Sequence, residues 1–212
     1  MLKEIILDFG SGNTCHSNLG YVKTMIDKLA EVDPHTVGHR ITIKWQLATN
    51  NPPNEPLDRS AFVYAYEYAA EKGYRTTSSV FDRESLEFLL QFDIPFVKIP
   101  CIQDLYPLIG FVPRHIPVYV SVPDEDTTPM YCDPRIKSLC CVRKYPADEE
   151  DYLSIFPYDM LESGISDHTQ GLRMYDELDP YRWEKHYVIE RNPNNPDSGL
   201  FAATPEELKE VL

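Results

Sequence analysis

Two short stretches decide the fold, Gly164-Ile165-Ser166-Asp167-His168-Thr169 and Trp183-Glu184-Lys185-His186-Tyr187. Each is typical of the end of a buried strand, and each carries a histidine. If the two strands are neighbours, their backbones lie about 4.8 Å apart, so His168 and His186 would face one cavity. Imidazole is a common ligand of transition metals, and two histidines with open positions make a catalytic metal site. The two stretches therefore predict a metal-binding cavity at the ends of adjacent strands.

The size and composition of the chain are those of one globular domain. Its 212 residues suffice for one sizeable core and are too few for two ordinary domains with a linker, so we expect a single domain over residues 1–212. Hydrophobic residues make up 42% and charged residues 25%, a balance typical of globular proteins. There is neither an apolar run of membrane-spanning length nor a signal peptide pattern. We therefore expect a cytoplasmic protein that does not contact membranes.

The net charge of −14 restricts the ligands that the chain can bind. A negative field disfavours nucleic acids and anionic membranes, and we expect neither as a partner. A phosphorylated substrate would need cations of its own at the site. The five cysteines form no Cys-x-x-Cys pair, and the adjacent Cys140 and Cys141 would point to opposite faces of a strand. This pattern favours reduced thiols.

Strand patterns recur about eight times, and helical patterns follow most of them. The predicted strands are Glu4–Phe9, Ile41–Gln46, Arg75–Val80, Phe96–Ile99, Pro117–Ser121, Lys137–Val142 and the two histidine stretches. The predicted helices are Asn18–Leu29, Arg59–Lys72, Arg83–Gln91, Asp148–Met160 and Pro205–Leu212. Alternation of strands and helices is typical of a (β/α)8 TIM barrel.

Barrels of this kind usually have about 250 residues, so we predict a shortened TIM barrel with one or more helices missing or clipped. The missing pieces are expected after strand five and strand seven. A doubly wound α/β sheet is the competing fold. It is disfavoured because candidate functional residues end almost every strand, as the carboxyl-terminal face of a barrel requires.

A series of motifs accompanies the histidine stretches along nearly the whole chain. They are Ile43-Lys44-Trp45-Gln46, Ser78-Ser79-Val80-Phe81-Asp82, Ile94-Pro95-Phe96-Val97-Lys98-Ile99-Pro100, Val118-Tyr119-Val120-Ser121, Leu139-Cys140-Cys141-Val142-Arg143-Lys144-Tyr145-Pro146 and Asn195-Pro196-Asp197. In order and spacing, these motifs and the GISDHT and EKHY pair resemble the sialic acid synthase family. That family consists of TIM barrels that condense phosphoenolpyruvate with an amino-sugar aldehyde.

The resemblance implies the substrates, phosphoenolpyruvate and an amino sugar, and the residues that would bind them. Phosphoenolpyruvate carries a carboxylate and a phosphate, which need fixed cations and hydroxyls. Those groups would come from Lys44, Ser79, Lys98, Ser121, Arg143 and Ser166. A divalent metal, Mn²⁺ or Mg²⁺, would bind His168 and His186. The catalytic set would be Asp8, Lys44, Gln46, Gln103 and Asp197.

The implied activity is that of a carbon–carbon bond-forming transferase, similar to N-acetylneuraminate synthase. In that reaction the enolpyruvate carbon attacks the aldehyde, water adds to the resulting cation, and phosphate departs with C–O cleavage. The resemblance also leaves a homodimer open. We expect a short, divergent member of the family without its antifreeze-like domain.

Several positions depart from the family pattern. Asp8 stands where the family has a glutamate, and Gln103 replaces a glutamate by an amide, which cannot act as a general base. The stretch Ser121-Val122-Pro123-Asp124 lacks the glycine that lets the backbone approach phosphate. Two alternatives therefore stay open: a non-catalytic barrel that binds a ligand or partner, and a metal-dependent aldolase or lyase.

Simpler interpretations apply to some residues taken singly. A strand lysine such as Lys44 is usually a surface charge or part of an ion pair at the edge of the core. A lone strand histidine is more often a hydrogen-bonded core residue than a ligand. Glu184 and Lys185 are interpreted as an ion pair beneath the barrel.

Overall fold

Eight parallel strands close into one barrel in sequence order. The computed structural model describes residues 3–35, 38–49, 54–123, 133–156 and 164–212. The strands are β1 Lys3–Asp8, β2 His39–Leu47, β3 Arg75–Val80, β4 Val97–Ile99, β5 Val118–Val122, β6 Ile136–Cys141, β7 Gly164–Asp167 and β8 Arg182–His186. The predicted (β/α)8 barrel is confirmed, and the doubly wound sheet is excluded because β1 pairs with β8.

Helices follow the strands on the outside of the barrel. Within the described ranges they are α1 Gly12–Cys15, α2 Leu19–Val32, α3 Arg59–Glu71, α4 Arg83–Leu89, the 3₁₀ helix Gln103–Phe111, α5 Glu149–Ile155, α6 Arg173–Leu178 and α7 Pro205–Leu208. None of those in the described part of the chain is long and apolar enough to span a bilayer. Apart from α2 with 14 residues and α3 with 13, the described helices are short, as a lean barrel requires.

The predicted helix boundaries are tested over only part of the chain. The connection after β5 includes residues 124–132, which lie outside the described residues, and so does the predicted end of the Asp148–Met160 helix. After β7 the chain forms α6, which has six residues. The sequence patterns missed α1, α6 and the 3₁₀ helix.

The barrel interior is filled by a small apolar cluster, with polar side chains on either side of it. Ile6, Phe96, Tyr119 and Leu139 form this cluster, separate from the main core under the helices. The rings of Phe96 and Tyr119 stack with centroids 3.9 Å apart. At the amino-terminal end, Glu4 accepts hydrogen bonds from the Tyr119 hydroxyl at 2.6 Å and pairs with Arg182 at 2.8 Å. The described side chains thus close the floor, which leaves the other end of the barrel for a cavity.

A buried ion pair joins β7 to β8 on the side of the strands facing the helices. Lys185 Nζ donates to Asp167 Oδ2 at 3.0 Å and to the Thr169 carbonyl at 2.7 Å, and both charged side chains are 0% exposed. The Trp183 indole donates to the same carboxylate at 3.0 Å. Asp167 and Lys185 immediately precede the two histidines, so this pair fixes the backbone that carries them.

We predict that Lys185→Met lowers the free energy of unfolding by about 3–5 kcal/mol, because it leaves Asp167 as a buried charge without its cation. Urea denaturation followed by circular dichroism measures the loss. The control is Lys209→Met, which removes an exposed pair with Glu206 and should leave the unfolding midpoint unchanged. A loss for Lys185→Met no larger than that of the control would contradict the structural role of the pair.

Candidate active site

A cavity of about 640 Å³ lies at the carboxyl ends of the strands. It is lined by all but one of the site residues that the sequence predicts: Asp8, Lys44, Gln46, Ser79, Lys98, Ser121, Arg143, Ser166, His168, His186 and Asp197. The carboxyl ends of parallel barrel strands converge on one face, which explains why residues so distant in sequence meet. The exception is Gln103, which is exposed at the start of the 3₁₀ helix, outside the cavity lining.

Lys44 on β2 is the centre of one group of contacts in the cavity. Its Nζ donates to Asp8 Oδ2 at 2.6 Å and to Ser79 Oγ at 3.0 Å, and Gln46 Nε2 donates to the same Asp8 oxygen at 2.9 Å. Burial alone would raise the pKa of Asp8, but Lys44 and then His186 lower it to about 2. Burial opposes the charge of Lys44, yet Asp8 and Glu184 raise its pKa. The pair is therefore ionised on both sides.

Lys98 on β4 forms a second group that reaches across the barrel. Its Nζ donates to Ser121 Oγ at 2.8 Å and lies 3.4 Å from Glu184 Oε1. The Ser166 hydroxyl donates to that same Glu184 oxygen at 2.8 Å. Burial would raise the pKa of Glu184, but Lys44 and Lys98 together hold it below the usual value. A layer of charged and hydroxyl side chains thus covers the apolar cluster of the interior.

The interpretation of Glu184 and Lys185 as an ion pair is wrong. Adjacent residues of a strand point to opposite faces, so Glu184 faces the cavity while Lys185 pairs with Asp167 on the outer side. Glu184 is the functional candidate that the sequence interpretation missed. The signal was present, because Glu184 lies two residues before His186 on one strand and must share its face.

Asp197, beyond β8, is fixed by the turn that follows β1. Its Oδ2 accepts hydrogen bonds from the backbone N–H and hydroxyl of Ser11 at 2.8 and 2.7 Å, and its Oδ1 lies 3.4 Å from Gln46 Nε2. Gly10 has φ +79°, and a Cβ there would lie 2.9 Å from the Asp197 side chain. A glycine is therefore required for the carboxylate to approach the turn this closely.

Among the described residues, the charged side chains that line the cavity are balanced. Three cations, Lys44, Lys98 and Arg143, face three carboxylates, Asp8, Glu184 and Asp197. With the histidines counted as uncharged, the formal charge is zero in a chain of net charge −14. Arg143 differs from the two lysines because it is exposed, and no carboxylate of the described residues pairs with it.

His168 and His186 lie side by side in the cavity, with ring centroids 5.7 Å apart. His168 Nδ1 contacts the Val142 carbonyl at 2.7 Å, which assigns the proton to Nδ1 and leaves Nε2 as a lone pair. Burial first, and His186 second, lower the pKa of His168 to about 3, so its ring is neutral. The ring of Tyr145 packs on that of His168 with centroids 4.1 Å apart, and the ring of Phe201 packs on that of His186 with centroids 4.9 Å apart.

The two histidines fit a divalent metal ion. A ligand imidazole must be neutral, as His168 is, and His186 Nδ1 is buried without a hydrogen-bond partner among the described residues. The carboxylate of Asp8 lies 3.7 Å from His186 Nε2. No cluster of three His, Cys, Asp or Glu residues in the described ranges is arranged to hold an ion. A metal held by two imidazoles would thus keep positions for water or substrate.

Solved structures with the same architecture include enzymes of carbohydrate biosynthesis. N-acetylneuraminic acid (sialic acid) synthetase from Leptospira borgpetersenii serovar Hardjo-bovis, solved with citrate, matches 100% of this chain and 81% of its own at TM-score 0.73 and 19% identity. The chain has the fold of the sialic acid synthases. The resemblance that the motifs indicate is thereby confirmed at the level of the fold.

Two further structures share this sialic acid synthase fold. The spore coat polysaccharide biosynthesis protein spsE from Bacillus subtilis matches 99% of this chain and 66% of its own at TM-score 0.77 and 24% identity. Phospho-2-dehydro-3-deoxyheptonate aldolase (DAHP synthase) from Thermotoga maritima matches 99% and 66% at TM-score 0.70 and 13% identity.

At the level of sequence, no family model matches the chain. An uncharacterized protein from Methanocaldococcus jannaschii is 28% identical over 177 residues, which cover 74% of this chain and 52% of that protein. The chain thus spans about half the length of the curated relative that it matches.

We predict that His186→Ala abolishes Mn²⁺ binding measured by calorimetry and leaves the fold intact, because His186 Nδ1 has no hydrogen-bond partner among the described residues. The control is His115→Ala, which removes an exposed imidazole outside the cavity and should bind the ion as the parent protein does. Unchanged binding in His186→Ala would remove the metal hypothesis. Loss of the circular dichroism spectrum would instead support a hydrogen-bonded core histidine.

Proposed function

We propose that this chain condenses phosphoenolpyruvate with an amino-sugar aldehyde to give a nonulosonic acid and phosphate. The observation that carries the proposal is a pair of buried lysine–serine contacts in a cavity that also holds two histidines. Lys44 donates to Ser79, and Lys98 donates to Ser121. Since Ser79 and Lys98 are direct partners in the sheet, these four groups form one row across β2 to β5.

This row has the chemistry that a small dianionic or trianionic ligand requires. Ammonium groups make charge-assisted hydrogen bonds to carboxylate and phosphate oxygens, and the serine hydroxyls add donors at fixed positions. Arg143 lines the same cavity and can bind two oxygens of one anion. Asp8 and Glu184 hold the two lysines in place, so an anion would take over contacts that are already oriented.

The proposed reaction distributes its steps over the cavity residues. The methylene carbon of phosphoenolpyruvate attacks the aldehyde carbon, and the Lys44 ammonium can donate a proton to the oxygen that becomes a hydroxyl. Water then adds to the former enol carbon, and one of its protons returns to the Lys44 amine. Phosphate leaves with the other proton as its bond to that carbon breaks and the carbon becomes a keto group. Gln46 and Asp197 can bind hydroxyls of the sugar, and Asp8 keeps Lys44 charged and oriented.

A divalent ion on His168 and His186 would supply Lewis-acid polarisation of the aldehyde oxygen. We also assign the reaction to the cytoplasm, because the chain has no Cys-x-x-Cys pair and reduced thiols are the rule in that compartment. A homodimer stays a prediction.

One observation favours a second candidate, a barrel that binds its ligand without turning it over. Gln103 is exposed outside the cavity lining, so the position that carries a glutamate in the family would contribute neither a base nor an amide to the site. A metal-dependent aldolase or lyase, the third candidate, would use the histidines without phosphoenolpyruvate.

The decisive assay measures phosphate released from phosphoenolpyruvate in the presence of Mn²⁺ and each of a panel of amino sugars. We expect release that depends on one of the sugars. Saturable binding of phosphoenolpyruvate without release would favour the binding barrel. No binding up to millimolar ligand would contradict the synthase proposal and leave the aldolase or lyase.

We predict that Lys98→Met weakens phosphoenolpyruvate binding by at least about tenfold, and Lys44→Met by a similar factor, because each removes a charge-assisted contact that contributes about 1.5–3 kcal/mol. Arg143→Met should weaken binding by about tenfold as well. It is the cleaner variant, because Arg143 is exposed and its loss leaves no described carboxylate unpaired. Titration at fixed ionic strength measures all three dissociation constants.

The control for these titrations is Lys209→Met, which makes the net charge more negative by one, as the other three variants do, at a residue outside the cavity lining. Its dissociation constant should equal that of the parent protein. If Arg143→Met and Lys209→Met weaken binding equally, the effect comes from the overall charge of the protein. That result would contradict an anion site at Arg143.

A further inference from the structure

The hydroxyl of Tyr152 makes three hydrogen bonds at the place where two strands of the barrel separate. Tyr152 lies in the middle of α5 and is 0% exposed. Its hydroxyl donates to the Ser166 carbonyl at 2.5 Å. The same oxygen accepts from the backbone N–H groups of His168 at 3.1 Å and Val142 at 3.3 Å. A phenol has one proton to donate and two lone pairs, so backbone groups beside the cavity fill its whole hydrogen-bonding capacity.

These hydrogen bonds bridge a gap in the sheet. The ladder between β6 and β7 contains two residue pairs and ends at Cys141 and Ser166. Residues 142–146 then leave the sheet, and the chain returns at Ala147, whose N–H donates to the His168 carbonyl at 2.9 Å. Between these two points the pairing of the strands is interrupted. The phenol hydroxyl serves the buried backbone groups there, which would otherwise need other partners.

The interruption brings further side chains to the cavity. The segment that leaves the sheet carries Arg143 and Tyr145, and both line the cavity. On the other side of the gap, the ring of His168 faces the same cavity. The Tyr152 hydroxyl therefore lets one backbone leave the sheet while it holds the other in place.

The same hydroxyl acts on the imidazole ring of His168 through Val142. The N–H of Val142 donates to the phenol oxygen, and its carbonyl accepts from His168 Nδ1 at 2.7 Å. Val142 is thus held at its N–H by Tyr152 and at its carbonyl by the imidazole. The bond to that carbonyl selects the tautomer, because a ring nitrogen that donates must carry the proton. The other nitrogen, Nε2, is left to bind a metal ion.

We propose that Tyr152 is a positioning residue of the metal site, whose hydroxyl fixes the backbone and the tautomer of His168 and thereby raises the affinity for a divalent ion. Partners that orient a ligand histidine from outside contribute about ten- to hundredfold to metal affinity. Tyr152 lies outside the cavity lining and touches neither the ion nor the substrate. The proposal rests on the proposed function only in taking His168 as a metal ligand.

A role in packing alone makes a different prediction. Tyr152 contacts the ends of β6 and β7, whereas Lys44 and Lys98 of the anion site lie on β2 and β4. If the hydroxyl served only to stabilise the core, its loss would weaken the metal site and the anion site together or leave both unchanged. If it positions His168, metal affinity falls and phosphoenolpyruvate affinity does not.

The first experiment compares the parent protein with Tyr152→Phe, which removes one oxygen and keeps the ring. We expect the dissociation constant for Mn²⁺, measured by calorimetry, to rise by at least about tenfold. The dissociation constant for phosphoenolpyruvate, measured without metal, should stay that of the parent.

The control is Tyr119→Phe, which removes another buried hydroxyl, the donor to Glu4 at the opposite end of the barrel. It lowers stability in a comparable way without touching β6 or β7, as the urea midpoint would show. Its affinities for Mn²⁺ and for phosphoenolpyruvate should both equal those of the parent. An equal loss of Mn²⁺ affinity in the two variants would overturn the proposal.

The second experiment needs no metal. Nitrogen-15 spectra of the imidazole rings report which nitrogen carries the proton, and the signals of His168 are those missing in His168→Gln. We expect a single tautomer with the proton on Nδ1 in the parent and a mixture of tautomers in Tyr152→Phe. One unchanged tautomer in the variant, or unchanged Mn²⁺ affinity in a folded variant, would overturn the proposal.

If Tyr152→Phe does not fold, hydrogen exchange in the parent protein decides. Coupling between two sites is reciprocal, so an ion that gains affinity from these hydrogen bonds must also strengthen them. Saturating Mn²⁺ should therefore slow the exchange of the Val142 and His168 amides by at least about tenfold more than that of the β4 amides. An equal effect on both sets of amides would overturn the proposal.

The results also separate this proposal from the proposed function. A parent protein that binds no Mn²⁺ would refute the role of His168 as a ligand and this proposal with it. A Mn²⁺ difference between the parent and Tyr152→Phe, without release of phosphate from phosphoenolpyruvate, would refute the proposed function alone.

Discussion

The backbone pairing of β1 with β8 joins the first strand of the barrel to the last, with Glu4 opposite Arg182 and Asp8 opposite His186. Closure leaves no free sheet edge and gives every strand two neighbours. It also fixes which side chains share the interior, because residues opposite each other in parallel strands face the same way. The floor pair of Glu4 and Arg182 and the cavity pair of Asp8 and His186 both follow from this one register. The buried Lys185–Asp167 contact then holds β8 against β7 from the outer side.

A layer of buried charge above an apolar interior is costly unless each charge is paired and hydrogen-bonded. In this barrel each buried lysine of the cavity has both a carboxylate and a hydroxyl within reach. Lys44 contacts Asp8 and Ser79, and Lys98 contacts Ser121 with Glu184 at 3.4 Å. The contacts that offset the cost of burying these charges also keep the Lys44 and Lys98 ammonium groups oriented toward the cavity. The proposed binding of an anion would thus be an exchange of partners between oriented groups, which would limit how much side-chain ordering the ligand must cause.

Much of this architecture could be predicted from the sequence, because parallel strands bury continuous runs and their ends meet on one face. The positions of Lys44, Lys98, His168 and His186 follow from that rule together with the motif order. This rule did not predict the position of Gln103, since the segment after β4 forms a 3₁₀ helix that contains Pro107 and shows no helical period. Its backbone carries Gln103 outward and leaves Cys101 in the lining. The two-residue period of β8 could have placed Glu184 in the cavity beside His186. Its neighbour Lys185 instead suggested a local ion pair, which strand geometry forbids.

The charge balance of the cavity has a consequence for the rate at which an anion arrives. A molecule of net charge −14 surrounds a cavity whose described charged side chains sum to zero, so an anion would meet repulsion during its approach and attraction only over the last few ångströms. Dissolved salt screens fields beyond about 10 Å at 0.1 M but weakens buried contacts far less. Moderate ionic strength would therefore speed the capture of an anion by this barrel, the reverse of the dependence shown by proteins that draw charged ligands in with a field of opposite sign.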